Sequence, residues 1–258
     1  MRNRAKIFGI ALCAIAAAAC GGDGNGSEGA AGTGGTAGTA GTGGTAGTAG
    51  SGGGVATSTV QGVVRSFLLL GGGNPVVPDA TVGVLDTNLS ATTDQNGAFT
   101  LENVPNGENF FTVEAAGFWG SVDYWDVPGE TAQGFALYVA ADADINSIAD
   151  ELGRTVSTDD GIVEIYFEPA VTGASGTIDP ADHDSPFTLD ASGFLVVQDE
   201  VIAVDGVGEL FFTSVPAGGT ITADAAGPPG TTCSVFDPDT GTFPIRPKTI
   251  TFVYAWCP

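Results

Sequence analysis

After Val55 the chain alternates apolar and polar positions with a period of two, in short runs separated by Gly, Pro, Asp and Asn. That period predicts strands with one apolar face, and the regular turn signals predict an all-β sandwich. The clearest runs are 81–84, 98–102 and 110–115. Within them Val82 and Val84, Phe99 and Leu101, and Phe111 and Val113 are predicted to face a core. Thr100, Glu102, Thr112 and Glu114 take the solvent side. The last run alternates Ile250, Phe252, Tyr254 and Trp256, which are predicted core positions. One helix is predicted, around Asn146 to Leu152, between the two halves.

The pattern is written twice. GAFTLENVPNGENFFTVEAAGF (97–118) reads as two strands hinged on Val104-Pro105-Asn106-Gly107, a predicted hairpin, and GELFFTSVPAGGTITADAAG (208–227) reads the same way. Asp94 can cap its own turn, Gly97 can take positive φ, and Pro105 presets φ for the turn that Gly107 closes. In the second stretch Asp205 precedes Gly208 by the same three residues, and Pro216 follows Gly208 by eight, as Pro105 follows Gly97. Ala225-Ala226-Gly227 matches Ala115-Ala116-Gly117 after a one-residue deletion. Spacing kept over this length predicts a duplicated unit.

Gly62-Val63-Val64, Pro78-x-Ala80-Thr81-Val82, Thr93-Asp94-x-x-Gly97-x-Phe99-x-Leu101-x-x-Val104-Pro105-x-Gly107 and Val113-x-Ala115-x-Gly117-Phe118 together resemble the carboxypeptidase regulatory-like domain. The match covers residues 55–118. A degenerate second copy from Gly161 keeps Gly161-Ile162-Val163, Gly173-Ala174, Asp205, Gly208, Val215-Pro216-x-Gly218 and the Ala-Ala-Gly end, with an insertion at 179–198. The resemblance implies a transthyretin-like (prealbumin-like) sandwich and no catalytic residue, since such modules usually accompany other activities. The expected fold is all-β: two tandem antiparallel Greek-key-type β-sandwich domains after a disordered Gly/Thr/Ala-rich tether.

The N-terminus changes where this fold is expected to sit. Arg2, Arg4 and Lys6 precede an apolar run from Ile7 to Ala19 that is too short to span a membrane and has the layout of a secretory signal. Ala17-Ala18-Ala19-Cys20 resembles the lipobox of bacterial lipoproteins, with Ala17 where Leu is usual. The resemblance implies lipidation at Cys20, and Gly21 after it implies the outer membrane, facing periplasm or cell surface. Ordinary cleavage at the Ala-x-Ala site is the alternative. Residues 21–54 are half glycine and carry GTGGTAGTA twice in tandem, at 32–40 and 41–49. Such a segment cannot bury a core and spans about 30 Å as a flexible coil. The expected organisation is a signal peptide at 1–19, lipidated Cys20 with a linker to 54, sandwiches at 55–140 and 160–258, and an acidic linker with a short helix at 141–159.

The chain has thirty acidic and seven basic residues, and three of the basic ones lie in the signal. Four basic residues against thirty acidic ones leave the processed chain at −26. Nucleic acid and basic-patch binding to anionic lipid both need clustered Lys and Arg, and are excluded as partner classes. Cys233 and Cys257 remain as one pair in an exported protein and are expected to form a disulfide.

Candidate chemistry is sparse. His183, the single histidine, sits in DPADHDSP without a nucleophile elbow and is expected to be an exposed loop residue. Asp239-Thr240-Gly241 spells the aspartic-protease triplet once, where that chemistry needs two such loops, so it reads as a turn. Asp142, Asp144 and Asn146 place oxygens at alternate positions, with Asp150, Glu151, Asp159 and Asp160 nearby, and are the candidate ligands for Ca²⁺. An EF-hand would need Gly at Ser147 and Glu at Gly153; a solvated acidic linker is the other reading. Trp119, Tyr124 and Trp125 are candidate ligand-binding aromatics for a glycan, with core packing as the alternative. Lys248 is the lysine available for a Lys–Asn cross-link. The expected function is a non-catalytic, lipid-anchored envelope protein presenting sandwich modules for scaffolding or protein binding to an unknown envelope partner. The alternative is a carbohydrate-binding accessory lipoprotein. An enzyme is not expected.

Overall fold

The computed structural model describes residues 55–67, 74–129, 131–189, 195–197 and 208–258. The signal-like segment, Cys20, the tether and Asp205 lie outside the described residues. The first repeat comprises β1 (Thr57–Phe67), β2 (Thr81–Val84), β3 (Ser90–Thr92), β4 (Ala98–Pro105), β5 (Gly107–Glu114), β6 (Phe118–Val127) and β7 (Ala132–Ala141). Helix α1 (Asp142–Glu151) follows. The second repeat comprises β8 (Asp160–Glu168), β9 (Ser175–Asp179), β10 (Phe187–Leu189), β11 (Leu195–Val197), β12 (Glu209–Pro216), β13 (Thr220–Ala226), β14 (Ser234–Val235), β15 (Phe243–Pro244) and β16 (Thr249–Trp256).

Each repeat folds as two layers. In the first, β4, β1 and β7 oppose β3, β2, β5 and β6, and the layers meet where Phe118 and Trp119 pair with Ala141 and Ala140. In the second, β10, β12, β8 and β16 oppose β9, β13 and β15. Strands β10 and β11, from the segment read as an insertion, extend the sheet beyond β12. The alternating positions are buried as expected: Val82, Val84, Phe99, Leu101, Phe111 and Val113 all enter the first core. Within each repeat the pairing is antiparallel with one systematic difference, and the β16–β6 pairing between the repeats is parallel too. The first and last strands of each repeat, β1 with β7 and β8 with β16, run parallel. Parallel neighbours need a long crossover, and the rest of each repeat supplies it.

The predicted hairpins are arches. Strand β4 bonds to β1, whereas β5 bonds to β2 and β6, so Val104-Pro105-Asn106-Gly107 carries the chain from one layer to the other. Strand β12 likewise pairs with β8 and β10, and β13 with β9 and β15. Period-two alternation is common to both connections, because each arm of an arch also turns an apolar face to the core.

The duplication extends to register. Leu101 faces Val60 and Val104 faces Ser58, with a bulge between, and Phe212 and Val215 face Val163 and Gly161 across an equal bulge. The residue before each Val, Asn103 or Ser214, holds a left-handed φ of 60° or 58°. The Val64 N–H donates to the Gly97 carbonyl (2.8 Å), and the Phe167 N–H donates to the Gly208 carbonyl (2.6 Å). This register corrects one sequence match. The counterpart of Gly161 is Ser58, not Gly62, because the bulge and the Val-Pro arch anchor the alignment while Gly-Val-Val is only composition.

The two repeats share a sheet. Strand β16 pairs with β8 on one side, and Thr249–Phe252 pair with Gly120–Asp123 of β6 on the other. A continuous order β3-β2-β5-β6-β16-β8-β12-β10-β11 results. Residues in register share a face, so Phe111, Asp123, Phe252, Glu164 and Phe211 lie on one side. Val163, Ile165, Phe167, Leu210 and Phe212 enter the second core on the other side. The small layers β4-β1-β7 and β9-β13-β15 therefore cover opposite faces. A third core fills the junction with Trp119, Ile145, Ile148, Ile162, Phe187, Phe211, Ile250 and Phe252. Strand β16 is covered on both faces, with Ile250 and Phe252 in the third core and Val253 and Ala255 in the second.

Candidate functional site

Chemistry concentrates on the seam between the repeats. In β6 and β16, β-branched and aromatic residues favour strand, and Gly120 permits close packing: a Cβ there would collide with the Val113 carbonyl. The Gly120 N–H donates to the Lys248 carbonyl at 3.0 Å, setting β16 beside β6. Asp123, Phe252 and Glu164 then lie in one row across three adjacent strands. Tyr254, Tyr166 and Glu209 form the next row on the same face. The spacing of neighbouring strands puts the Asp123 and Glu164 backbones about 10 Å apart.

Both acids are sealed from water, at 0% and 2% exposure. Tyr254 Oη donates to Asp123 Oδ2 at 3.5 Å, and Tyr254 stacks edge-on to Tyr166 with centroids 6.2 Å apart. Ser121 Oγ and Glu164 Oε2 have no hydrogen-bond partner. Burial pushes the Asp123 carboxyl up to about 7, against hydrogen bonds from Trp125, Tyr254 and the Tyr124 backbone that favour its charged form. Burial raises Glu164 well above the usual carboxylate range, with the charges of Glu209 and Asp123 adding to it. Burial carries Glu209 to about 6. Burial also raises Tyr254, as do Asp123, Glu164 and Tyr138. Burial thus lifts all three carboxyls out of the usual carboxylate range.

The row was not singled out in the sequence. Its signal was available: Glu164 interrupts an apolar run at Ile162-Val163-Glu164-Ile165-Tyr166-Phe167, and Asp123 stands between Val122 and Tyr124. An acid at a core-facing position of a two-sided apolar strand is the informative anomaly.

The structure disperses the expected sites. Trp119 is 2% exposed in the third core, Tyr124 packs on the second core, and half-buried Trp125 packs on the first, 4.5 Å from the Phe135 ring. These three aromatics make no common platform, because neighbouring positions on β6 serve three different cores. Asp142, Asp144 and Asn146 fall on α1, where alternate residues point about 200° apart. Asp142 is held by Lys248 Nζ at 3.0 Å, and among the described residues no three His, Cys, Asp or Glu side chains converge on a metal position. Lys248 thus meets Asp142, not an Asn.

His183 is half-buried, not an exposed loop residue. Its ring packs edge-on against Phe212 at 4.9 Å, and Nδ1 lies 2.7 Å from the Asp184 carbonyl. Asp184 accepts from Ser214 Oγ at 2.7 Å, which engages that serine with the acid rather than with the ring. Asp239-Thr240-Gly241 is a turn, closed by the Gly241 N–H donating to the Pro238 carbonyl at 2.7 Å. Cys233 and Cys257 form the expected disulfide, and both are buried.

No family model matches the chain, and no curated protein matches it. Among solved structures it is similar to a chain of a type II cohesin–X-dockerin complex from Acetivibrio cellulolyticus, at 21% identity over 33% of this chain and 58% of that one, TM-score 0.27. It is also similar to the Bacillus anthracis TIE protein (18% identity, 78% of this chain, 34% of that one, TM-score 0.27). The minor pilin of Streptococcus agalactiae is a third (11% identity, 78% and 95%, TM-score 0.24). The chain spans 58% of the length of the first of these. At such TM-scores the likenesses carry no argument about activity or partners.

Proposed function

We propose that this chain is a non-catalytic cell-envelope lipoprotein, anchored in the outer membrane through Cys20, whose double sandwich is a scaffold for protein binding. The observation that carries the reading is the β16 seam. With hydrogen bonds to β6 and to β8, it makes the two repeats one body rather than two beads on a hinge. A stiff body on a Gly-rich leash suits presentation of a surface at a distance from a membrane. Its acidity suits partners with basic surfaces, and Arg65, Arg154, Arg246 and Lys248 are its basic residues beyond the signal.

The test has two arms. Metabolic labelling with a lipid precursor should mark the wild-type chain in the outer-membrane fraction, and Cys20→Ala should abolish both label and membrane retention; label surviving the substitution would sink the anchor. Cross-linking in intact cells should then join the anchored chain to one defined envelope protein in a salt-sensitive complex. Recovery of uncross-linked chain alone would sink the scaffold role.

A further inference from the structure

The buried acids sit on the three strands that join the repeats. We propose that the row Asp123–Phe252–Glu164 is a pH-sensitive latch between the two sandwiches, closed while both carboxyls are protonated and loosened when they ionise. This inference is independent of the anchor and of any partner.

The geometry supports a device rather than ordinary core packing. The β6–β16 contact is only four residue pairs long, and the Asp123–Phe252 pair stands at one end of it. Phe252 separates the two acids and is itself paired with both. Glu164 Oε2 is buried without a hydrogen-bond partner, so a charge formed on it is uncompensated, and at Asp123 burial outweighs the donors from Trp125, Tyr254 and the Tyr124 backbone.

The surrounding groups make it worse. Strand β8 contributes Tyr166 and Glu168, β12 contributes Glu209, β16 contributes Tyr254, and Tyr138 of β7 acts on Tyr166 and Tyr254 and is itself raised by Asp123. Arg65 reaches Tyr138 electrostatically, but its guanidinium donates to the Asn74 carbonyl at 2.8 Å. Arg154, Arg246 and Lys248 pair with Asp184, Glu114 and Asp142. From α1, Ile145 and Ile148 close the third core, with Asp142 taken up by Lys248.

The sign follows from linkage. A carboxyl whose folded pKa lies above its unfolded value supports the closed form fully below about pH 4, and that support is lost as pH rises to about 7 for Asp123. Glu164 shifts in the same direction. Opening of the seam therefore becomes easier from weakly acidic to weakly alkaline pH.

Hydrogen exchange on the full-length chain, corrected for the intrinsic pH dependence of amide exchange, reads this directly. Between pH 5 and pH 8.5 the amides of 249–252 and 162–165 should lose protection by at least about tenfold, while those of 60–64 in β1 change by less than about twofold. Asp123→Asn with Glu164→Gln should flatten the seam response, and Glu164→Gln alone should reduce it. Seam protection unchanged with pH, an equal loss in β1, or a response persisting in the folded variants would overturn the proposal. The wild-type profile decides even where the double variant fails to fold.

Discussion

Both carboxylate oxygens of Glu108 accept the backbone N–H of Asp239, at 2.8 and 3.0 Å, across 131 positions of chain. Tyr124 Oη donates to the same carboxylate at 2.8 Å, and Phe110 meets the Phe243 ring edge-on at 6.3 Å. Glu108, Phe110 and Tyr124 belong to the first repeat, Asp239 and Phe243 to the second. The Asp-Thr-Gly turn is thus a docking point, with its first amide held by an acid from the other sandwich.

Glu108→Ala should cost about 1 kcal/mol in urea unfolding, below the usual range for bonds to a charged acceptor because the site is exposed. Glu108→Gln keeps one acceptor and should recover part of it. Tyr124→Phe combined with Glu108→Ala should show coupling of about 0.5 kcal/mol, since the two side chains share a bond. Strict additivity would mean that the Tyr124 contact contributes nothing.

The paired glycines give a second expectation. A Cβ at Gly97 would lie 2.7 Å from the Val64 carbonyl oxygen at a φ of +72°, and one at Gly208 would collide with the Phe167 carbonyl. Gly107 and Gly218 also hold positive φ, at 94° and 89°, but open onto empty space. Alanine at Gly107 or Gly218 should cost about 1–2 kcal/mol, the left-handed penalty alone. Alanine at Gly97 should cost more, because backbone must shift as well, and alanine at Gly208 should cost more through the backbone clash alone. Equal costs across the four, read from denaturation midpoints, would refute the close-approach argument.

Much of this framework was legible in the sequence. The inward residues Phe99, Leu101, Phe111 and Val113 follow from alternation alone, and the Gly–Pro–Gly spacing announces the repeat. Arches could not be told from hairpins, because Pro105 and Pro216 end a strand in either case and pairing partners are non-local. The seam was invisible for the same reason: nothing in Thr249–Phe252 says that its free edge will meet Gly120–Asp123. Trp119, Tyr124 and Trp125 looked like a cluster because they are close in sequence, yet β6 borders three cores. The acids at 123 and 164 stood in plain view, and only the contradiction of charge at an inward position marks them.

Trp119 separates the core reading of these aromatics from a binding one. At 2% exposure beside Ile145, Ile148 and Ile250, its truncation leaves a large cavity, so Trp119→Ala should destabilise by about 3–5 kcal/mol. Trp125→Ala, half-buried, should cost less, and neither change should alter retention on glycan columns. A Trp119→Ala protein as stable as wild type would show that the third core does not depend on this ring.

The Cys233–Cys257 bond closes a loop of 24 positions at the outer end of β16. There Ser234 and Val235 pair with Trp256 and Ala255, and the Cys257 N–H donates to the Glu168 carbonyl at 2.9 Å. Loop-closure entropy puts the bond at about 3.5 kcal/mol, set through the unfolded chain. Cys233→Ala with Cys257→Ala should lower the unfolding midpoint accordingly, and reductant should bring the wild type toward the same value. Because β16 carries both the second sandwich and the seam, protection at Thr249–Phe252 should fall together with protection in β8. A midpoint indifferent to reductant would mean that β14, β16 and the Glu168 carbonyl hold this end without the bond.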